Sequence, residues 1–429
     1  MSSETKAVFL CDLIEVNPRV KMQKGQSYPF VDMAAVKEWQ RDVSLADIEP
    51  REFKGSGSKF ESGDILLARI TPCFENGKTA IAPPIHGPGH GSTEFIVIRP
   101  KDPRDHAFVY GLLRSSEFRS HAIGQMVGTS GRQRIPNEAV LTFPLELPGE
   151  GYRHKVAHLL GGVEDVCSTL RNQNTALEAI AQRLFRSWFV NFDPVHAKAA
   201  GKESEAMSAE LAALFPSEFE DSELGPIPKG WTVESLDRSI TYLNGLALQK
   251  FPPLKGEAVL PVLKIAQLRA GRTDAGALAN RKMRPEYVVK DGDIVFSWSG
   301  SLEIRIWTGG EAALNQHLFK VFSQVHPEWF CYQSTLKHLP LFRQIAASKA
   351  TTMGHIQRHH LTEAKIPVAP DAVMQRFSAV FGPMQALIVQ NGKLIKELEE
   401  LRDHLLPRLI SGKLSLEEAE QVVEEAMAA

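Results

Sequence analysis

Apolar residues recur every three or four positions along two long segments of the chain, a pattern typical of coiled-coil helices. In the first segment, heptad position a holds Val156, Val163, Leu170, Leu177 and Leu184, and position d holds Leu159, Val166, Gln173 and Ile180. In the second, position a holds Phe377, Met384, Asn391, Leu398 and Leu405, and position d holds Val380, Leu387, Leu394 and Leu401. The pattern predicts two helices of about 33 residues, roughly 50 Å long, that pair with each other. Polar Gln173 and Asn391 are predicted to fix their register.

Small residues interrupt the beginning of both segments. Gly161-Gly162 lies in the first turns of one and Gly382-Pro383 in those of the other. Because glycine is a weak helix former and proline is favoured at the first helical position, we expect a bent or delayed start of both helices.

The two halves of the chain also resemble each other. Nine apolar or glycine positions between Val156 and Trp188 match positions 221 residues later. Upstream, the offsets are 223 for Thr129–Arg134 with Thr352–Gln357 and for Phe143–Leu145 with Ile366–Val368, 229 for Gly63–Ile65 with Gly292–Ile294, and 232 for Pro29–Val31 with Pro261–Leu263. An ordered series of this kind predicts an internal duplication.

The segments before each helix combine strand-like and helix-like patterns. Strands are predicted at 65–70, 79–82, 95–98, 293–297 and 318–322, and short helices at 107–116 and 327–338. The predicted fold class is α+β: two mixed α/β domains joined by two long helices that form an antiparallel coiled coil, with an internal pseudo-two-fold repeat. The predicted boundaries are 1–150 for the first domain, 151–195 for the central helix, 196–230 for a linker, 231–370 for the second domain and 371–429 for the C-terminal helix and tail.

Composition limits the class of protein. The 429 residues are 43% hydrophobic and 23% charged, and 49 basic residues against 51 acidic ones give a net charge of −2. No apolar run approaches the length of a membrane span, and residues 1–6 lack an export signal, so a cytoplasmic location is expected. Cys11, Cys73, Cys167 and Cys331 have neither zinc-site nor disulfide spacing and are expected to be buried thiols.

Catalytic and nucleotide-binding motifs break off in this chain. Gly77-Lys78-Thr79 ends like a phosphate-binding loop, but Pro72 replaces the glycine that such a loop requires. Asn17-Pro18-Arg19 is only the beginning of an adenine methyltransferase tetrapeptide. Asp293, Glu303 and Arg305 lack the lysine expected beside the carboxylates of a metal-dependent nuclease. The interpretation is a binding protein without catalytic residues.

Histidines raise the question of a metal. His355, His359 and His360 are close together in sequence, but we expect no carboxylate or cysteine in register with them. His86 and His90 lie among prolines and glycines that favour a surface loop. No metal site is predicted.

Two basic stretches make nucleic acid a candidate ligand despite the neutral net charge. Seven lysines and arginines face two acids between Lys264 and Lys290, and four basic residues and four histidines face none from Lys337 to His360. The paired loops Gly128–Arg134 and Thr351–Arg358 carry side chains that can bond base edges, alongside small residues that permit close approach to phosphate. A solvated charged face and loops that only end strands remain the alternatives.

Four phrases of the chain resemble a known family, the specificity subunits of type I restriction-modification enzymes. They are Gly63–Lys78, Leu184–Pro194, Phe219–Trp231 and Leu405–Gly412. The resemblance implies two target recognition domains that each read half of a bipartite double-stranded DNA site. It implies partners as well: two methyltransferase (M) subunits held by the helices, and restriction (R) subunits. S-adenosylmethionine, ATP and Mg would then act in those partners, and this chain would bind no cofactor.

The candidate contact residues follow from the repeat and the resemblance. DNA contacts are expected from Arg69, Lys78, Arg132, Gln133 and Arg134 in the first half and from Ser299, His355, Gln357, Arg358 and His359 in the second. Partner contacts are expected from exposed parts of the helices, at Phe185, Trp188, Phe189, Leu406, Leu409 and Ile410, for which sealing against the chain's own domains is the alternative. In the second domain, Trp298–Ser301 stands where the first has Arg69–Pro72.

Two other functions remain open from the sequence. One is the DNA-recognition subunit of a two-component type II system in which methylation and cleavage are coupled. The other is a coiled-coil protein scaffold without DNA, which the near-neutral charge permits.

Overall fold

The computed structural model describes residues 6–129, 131–202, 207–274, 276–348, 354–410 and 414–428, with side chains for all of these except Ile410 and Ala428. The chain divides into two compact units. The first comprises Met1–Thr169 and Glu397–Ala429, and the second comprises Leu170–Lys396. Each unit therefore contains one α/β domain and a part of both long helices.

The first domain consists of two four-stranded sheets, one two-stranded sheet and short helices. Its strands are β1 (Lys6–Phe9), β2 (Ile14–Val16), β3 (Ser27–Val31), β4 (Glu49–Glu52), β5 (Ser58–Phe60), β6 (Ile65–Ala68), β7 (Thr79–Ile81), β8 (Gly89–Gly91), β9 (Phe95–Pro100) and β10 (Pro144–Leu147). Its helices are α1 (His106–Arg114), α2 (Ser116–Gly124) and α3 (Asn137–Leu141). The sheet orders are β2-β9-β6-β7, β4-β3-β8-β5 and β1-β10, and only β3 and β8 pair in parallel.

The second domain and its connections contain the remaining elements. The helix α4 (Glu150–Phe189) is followed by α5 (Asp193–Ala199), α6 (Ala209–Ala213), β11 (Phe219–Glu220) and β12 (Ile227–Pro228). The strands continue with β13 (Thr232–Ser235), β14 (Thr241–Asn244), β15 (Val259–Leu263), β16 (Leu278–Asn280), β17 (Val288–Val289), β18 (Ile294–Ser297), β19 (Ile304–Ile306), β20 (Ala312–Leu314), β21 (Leu318–Phe322) and β22 (Lys365–Val368). The helices continue with α7 (Leu236–Ser239), α8 (Ile265–Ala270), α9 (Glu328–Ser348), α10 (Arg358–Glu363), α11 (Asp371–Ile410) and α12 (Leu416–Ala428).

The sheets confirm the internal duplication. The second domain has the orders β14-β21-β18-β19, β16-β15-β20-β17 and β13-β22, in which every strand takes the place of one strand of the first domain, and β15 pairs in parallel with β20 as β3 does with β8. The predicted offsets of 229 for β6 and β18 and of 232 for β3 and β15 are confirmed by the bounds of these strands.

The predicted offset of 223 near β10 is wrong by two residues. The N–H of Leu10 donates to the carbonyl of Phe143, and the N–H of Leu236 donates to that of Ala364, so these carbonyls occupy equivalent places. Their offset is 221, the same as that between the first residues of α4 and α11. A few matching letters were enough to suggest the duplication but not to fix the pairing across a loop.

The core of each domain lies between its two four-stranded sheets. In the first domain it combines Val31, Phe60, Leu66, Ala80 and Val97, and in the second it combines Leu263, Val289, Val295, Leu314 and Leu318. All four residues of β6 and all four of β18 are buried. A strand covered on both faces reads as a continuous apolar run, which is why these strands could be predicted.

The long helices run antiparallel and pair with each other, as predicted. In the first unit, the hydroxyl of Tyr152 on α4 donates to the carbonyl of Leu409 on α11 at 3.3 Å. In the second unit, the Asn391 amide donates to Gln173 Oε1 at 3.0 Å and to Asn174 Oδ1 at 2.8 Å. The predicted role of Asn391 and Gln173 in a polar layer is therefore supported, with Asn174 as an additional member.

Two details of the predicted helices are wrong. The helices begin at Glu150 and Asp371, so the glycine pairs and Pro383 lie inside them rather than delaying their start. Burial of Val156 and Leu160 offsets the roughly 1 kcal/mol helix penalty of a glycine. Ile180, predicted at position d, is 49% exposed, whereas neighbouring Ala181 is buried. A straight helix drifts by about 20° per heptad, so a strict seven-residue frame loses the buried face.

Within the described ranges, no helix combines the length and the apolar character that a membrane crossing needs.

Candidate nucleic-acid interface

The loop before α3 is held against the end of β6 in the first domain. Ile70 and Arg134 form an isolated antiparallel bridge, the N–H of Thr71 donates to the Gln133 carbonyl at 3.0 Å, and the N–H of Ile135 donates to the Arg69 carbonyl at 2.9 Å. Gly128 has a φ of +127°, and a Cβ there would lie 2.8 Å from the Arg132 carbonyl oxygen. Glycine is thus required for this loop to fold back on itself.

An ion pair crosses this cluster. Arg134 donates to the Glu94 carboxylate from Nη2 at 2.7 Å and from Nε at 2.9 Å. The hydrogen bonds from Arg134 lower the pKa of Glu94 and raise that of Arg134. The predicted contact residue Arg134 therefore has a carboxylate partner within the protein, and Glu94, which lies just before β9, is part of the candidate site.

The other four predicted residues of the first half are in different situations. Lys78 donates to the Met33 carbonyl at 2.9 Å and thus contributes to the fold. The Nε of Arg69 is buried and has no hydrogen-bond partner within the described residues. Arg132 is exposed, and its guanidinium has no ion pair in the described part of the chain. Gln133 is half-buried, and its backbone N–H donates to Thr71 Oγ1.

The second domain forms the equivalent cluster with other side chains. Ser299 and His355 form an isolated antiparallel bridge like that of Ile70 and Arg134, and the N–H of Ile356 donates to the Trp298 carbonyl at 3.0 Å. The predicted equivalence of Trp298–Ser301 with Arg69–Pro72 is therefore confirmed. The counterpart of Arg134 is His355, however, and not Gln357 as the 223-residue offset predicted.

A second equivalence links Glu94 with His317. The N–H of Arg69 donates to the Glu94 carbonyl at 2.9 Å, and the N–H of Trp298 donates to the His317 carbonyl at 3.4 Å. The positions that hold an arginine and a glutamate in the first domain thus hold two histidines in the second. The two clusters share their backbone and differ in charge.

Ser299 is a buried member of this second cluster. It is 3% exposed, and its hydroxyl lies 3.1 Å from Nδ1 of His317. The ring of Trp298 lies 5.7 Å from that of His317 and 6.4 Å from that of His355, between ring centroids. Ser299 therefore holds a histidine in place rather than presenting its own hydroxyl at the surface.

The remaining predicted residues of the second half lie at the beginning of α10. Gln357, Arg358 and His359 are exposed. The backbone N–H of Gln357 donates to Nδ1 of His360 at 2.9 Å. The Arg358 guanidinium lies 5.8 Å from the centre of the Phe319 ring. These three side chains are accessible to a ligand.

The prediction that no carboxylate is in register with these histidines is wrong. Glu363 follows His359 by one helical turn, and ligand atoms of His359, His360 and Glu363 lie within 4.8 Å of one another. Nδ1 of His360 already accepts the Gln357 N–H, so the proton of a neutral ring is on Nε2. Neither nitrogen then offers a free lone pair, and we assign no metal to this group.

The basic stretch from Lys264 to Lys290 is largely neutralised by nearby acids. The pairs are Arg269–Glu303 at 3.2 Å, Arg281–Glu311 at 2.6 Å, Lys282–Glu257 at 2.5 Å, Arg284–Glu286 at 3.0 Å and Lys290–Glu311 at 3.8 Å. In the second stretch, burial lowers the pKa of Lys337. The basic runs are therefore weaker indicators of a DNA-binding surface than the sequence suggested.

The predicted partner-binding residues are not exposed, and this prediction needs correction. Phe185, Trp188 and Phe189 are 4%, 2% and 1% exposed, within a core that includes Trp231, Trp329 and Phe377. Leu406 and Leu409 are 3% and 0% exposed, and the side chain of Ile410 lies outside the described residues. Aromatic side chains off the heptad seam pack against the second domain, which a pattern along the helix alone could not reveal.

The fold and the two loop clusters define a class: an internally duplicated binding protein with two α/β domains on a pair of antiparallel helices. No protein-family model matches the chain. It is 26% identical over 367 residues to the type I restriction enzyme MjaIX specificity subunit of Methanocaldococcus jannaschii, covering 84% of this chain and 79% of that protein. It is 23% identical over 418 residues to the HindI specificity subunit of Haemophilus influenzae, covering 85% and 89%. These relatives confirm the predicted resemblance: the chain is a homologue of type I restriction enzyme specificity subunits.

A solved structure was also found. The S subunit of the type I restriction-modification system from M. genitalium has a TM-score of 0.47 and 14% identity to the chain, with 95% of this chain and 96% of that one covered.

Proposed function

We propose that the chain is the specificity subunit of a type I restriction-modification system and that it reads a bipartite site in double-stranded DNA. The relatives that cover most of the chain support this assignment. One observation carries the two-part reading: the two domains present the same loop architecture with Arg134 and Glu94 in one and His355 and His317 in the other. Two similar scaffolds with different side chains are suited to reading two different half-sites.

The proposal assigns no catalytic step to this chain. Two methyltransferase subunits would transfer the methyl group from S-adenosylmethionine, and restriction subunits would use ATP and Mg to cleave, while this chain supplies the DNA sequence preference in the cytoplasm. Purified chain alone is then expected neither to methylate nor to cut DNA. Either activity in a preparation free of partner chains would contradict this division of labour.

The decisive experiment is to express the chain together with the methyltransferase subunit from its own gene neighbourhood. Methylated bases are then mapped across the host genome by single-molecule sequencing. We expect a motif of two short specified parts separated by a gap of fixed length, and no such motif when the methyltransferase is expressed without this chain. A continuous motif, or methylation that is independent of this chain, would refute a bipartite reader.

Salt dependence separates DNA recognition from a protein-scaffold role. Phosphate contacts release counterions, so the affinity of the assembled complex for a duplex is expected to fall steeply between low and physiological salt. Binding that does not change with salt, or no binding by the complex, would favour the scaffold.

A further inference from the structure

The turn between β20 and β21 has the same hydrogen bonds as the turn between β8 and β9. The Asn315 Oδ1 accepts the His317 N–H at 3.2 Å, and Ser92 Oγ accepts the Glu94 N–H at 3.2 Å. In both turns the next N–H, from Leu318 or Phe95, returns to the carbonyl of the first turn residue. Gln316 and Thr93 therefore occupy the same position, at the tip of equivalent turns.

The turn in the second domain is held rigidly from two sides. The Trp298 indole N–H donates to Asn244 Oδ1 at 3.0 Å and to the Gln316 carbonyl at 3.2 Å. A Cβ on Gly245 would lie 2.2 Å from the Asn315 carbonyl oxygen, so the end of β14 approaches the turn more closely than any other residue would allow. The backbone of Gln316 is fixed by these contacts.

The Gln316 side chain keeps most of its bonding capacity. Its Nε2 lies 3.5 Å from Nε2 of His317, at the limit of a hydrogen bond, and its Oε1 has no partner among the described residues. His317 is itself held by Ser299, which lies beside His355 in the bridge described above. A half-buried carboxamide on a rigid turn offers an acceptor and two donors in a fixed direction.

Carboxamides of this kind pair with adenine, whose major-groove edge offers one acceptor and one donor. We propose that Gln316 is a specificity-determining residue that reads one base of the half-site recognised by the second domain, with adenine as the expected base. Thr93, with a single hydroxyl at the same position, reads a different edge in the other half-site. This proposal rests on the proposed function, because it assumes that the domain binds DNA.

The test uses the chain assembled with its methyltransferase partner. Competition binding is measured with duplexes in which each base pair of the mapped site is changed in turn, and each change gives a discrimination ratio. For Gln316→Ala, we expect the ratio at one base pair of one half-site to fall by about ten-fold or more, while the ratios at all other positions stay within two-fold. Gln324→Ala is the matched control, because that exposed glutamine follows the other end of the same strand β21.

A second variant guards against a loss of folding. Gln316→Glu keeps the length of the side chain but can only accept hydrogen bonds, so we expect the preference at the same base pair to move from adenine towards cytosine. An unchanged profile for both variants, or an equal fall at every position, would overturn the assignment of Gln316. A wild-type complex without any base preference would overturn the proposed function and this proposal with it.

Discussion

At the residue scale, equivalent positions of the two domains carry different chemistry on the same backbone. Arg134 and Glu94 form a bidentate ion pair, so their net charge is zero. His355 and His317 take their places in the second domain. The internal pair restrains the arginine, and a DNA phosphate would have to compete with Glu94 for it.

Removing the carboxylate should therefore strengthen sequence-independent binding. For Glu94→Gln, we expect higher affinity for a non-cognate duplex and a salt slope steeper by about one phosphate contact, since Arg134 loses its internal partner. Titrations of the complex at several salt concentrations measure both quantities. Glu146→Gln, at an exposed glutamate on β10, is the control. A salt slope equal to that of the wild type would show that Arg134 does not reach DNA.

A second residue-scale prediction concerns acid stability. Burial lowers the pKa of His338 to about 4, and its Nε2 lies 3.1 Å from the Lys365 carbonyl. Between about pH 6.5 and 4 the unfolded chain binds the proton and the folded chain does not, so stability falls as the pH falls through this window. The free energy of unfolding should decrease by up to about 3 kcal/mol from this group.

The variant His338→Asn isolates this contribution. Asparagine can still donate to the Lys365 carbonyl but does not titrate. Denaturant unfolding at pH 7 and pH 5 should show a smaller loss of stability in the variant than in the wild type. Equal losses would mean that another group dominates the acid sensitivity.

At the element scale, a buried charge cluster joins three helices of the first unit. Glu164 on α4 accepts from Arg114 on α1 at 3.0 Å and also from Arg402 on α11, and all three side chains are 4–5% exposed. Arg114 further donates to the Trp39 carbonyl at 2.9 Å. One carboxylate thus compensates two buried cations that come from distant parts of the sequence.

Loss of that carboxylate should be costly. We expect Glu164→Gln to lower the free energy of unfolding of this unit by about 3–5 kcal/mol, because two guanidinium groups would stay buried without their counter-charge. Glu150→Gln is the matched control on the same helix, where the pair with Arg104 is exposed on both sides and should contribute at most about 1 kcal/mol. Denaturant unfolding followed by hydrogen exchange of the α1 amides measures both. Equal stability of the two variants would contradict a structural role for the cluster.

At the scale of the whole molecule, α4 and α11 each continue from one compact unit into the other. Both have 40 residues, which corresponds to about 60 Å of helix. A continuous helix transmits a change in length without a hinge, so the gap in the DNA motif is expected to depend on these two elements.

Lengthening both helices tests this dependence. Seven residues inserted after Thr169 and seven before Glu397, at the boundaries of the compact units, add about 10 Å of helix. We expect the gap in the methylated motif to increase by about three base pairs, while the specified bases stay the same. Genome-wide methylation mapping reads out the gap. The same insertion in only one helix should abolish methylation, and an unchanged gap after the double insertion would contradict the coupling.

The sequence by itself determined the duplication, the two helices and the buried strands, because each depends on periodic patterns that local physics imposes. Continuous apolar runs predicted β6 and β18, and alternating spacings of three and four predicted α4 and α11. Its motifs also identified the family to which the chain is similar. These signals lie within short stretches and need no knowledge of distant contacts.

Only the tertiary structure decided which side chains are available to a ligand. Arg134 and Glu94 are 40 residues apart, and Ser299 and His317 are 18 apart, so no local pattern could pair them. The aromatic residues at the end of α4 read as a docking surface in the sequence, yet they are core, because the second domain covers them. Gln316 went unnoticed in the sequence for the same reason: its significance comes from strands and turns that meet only after folding.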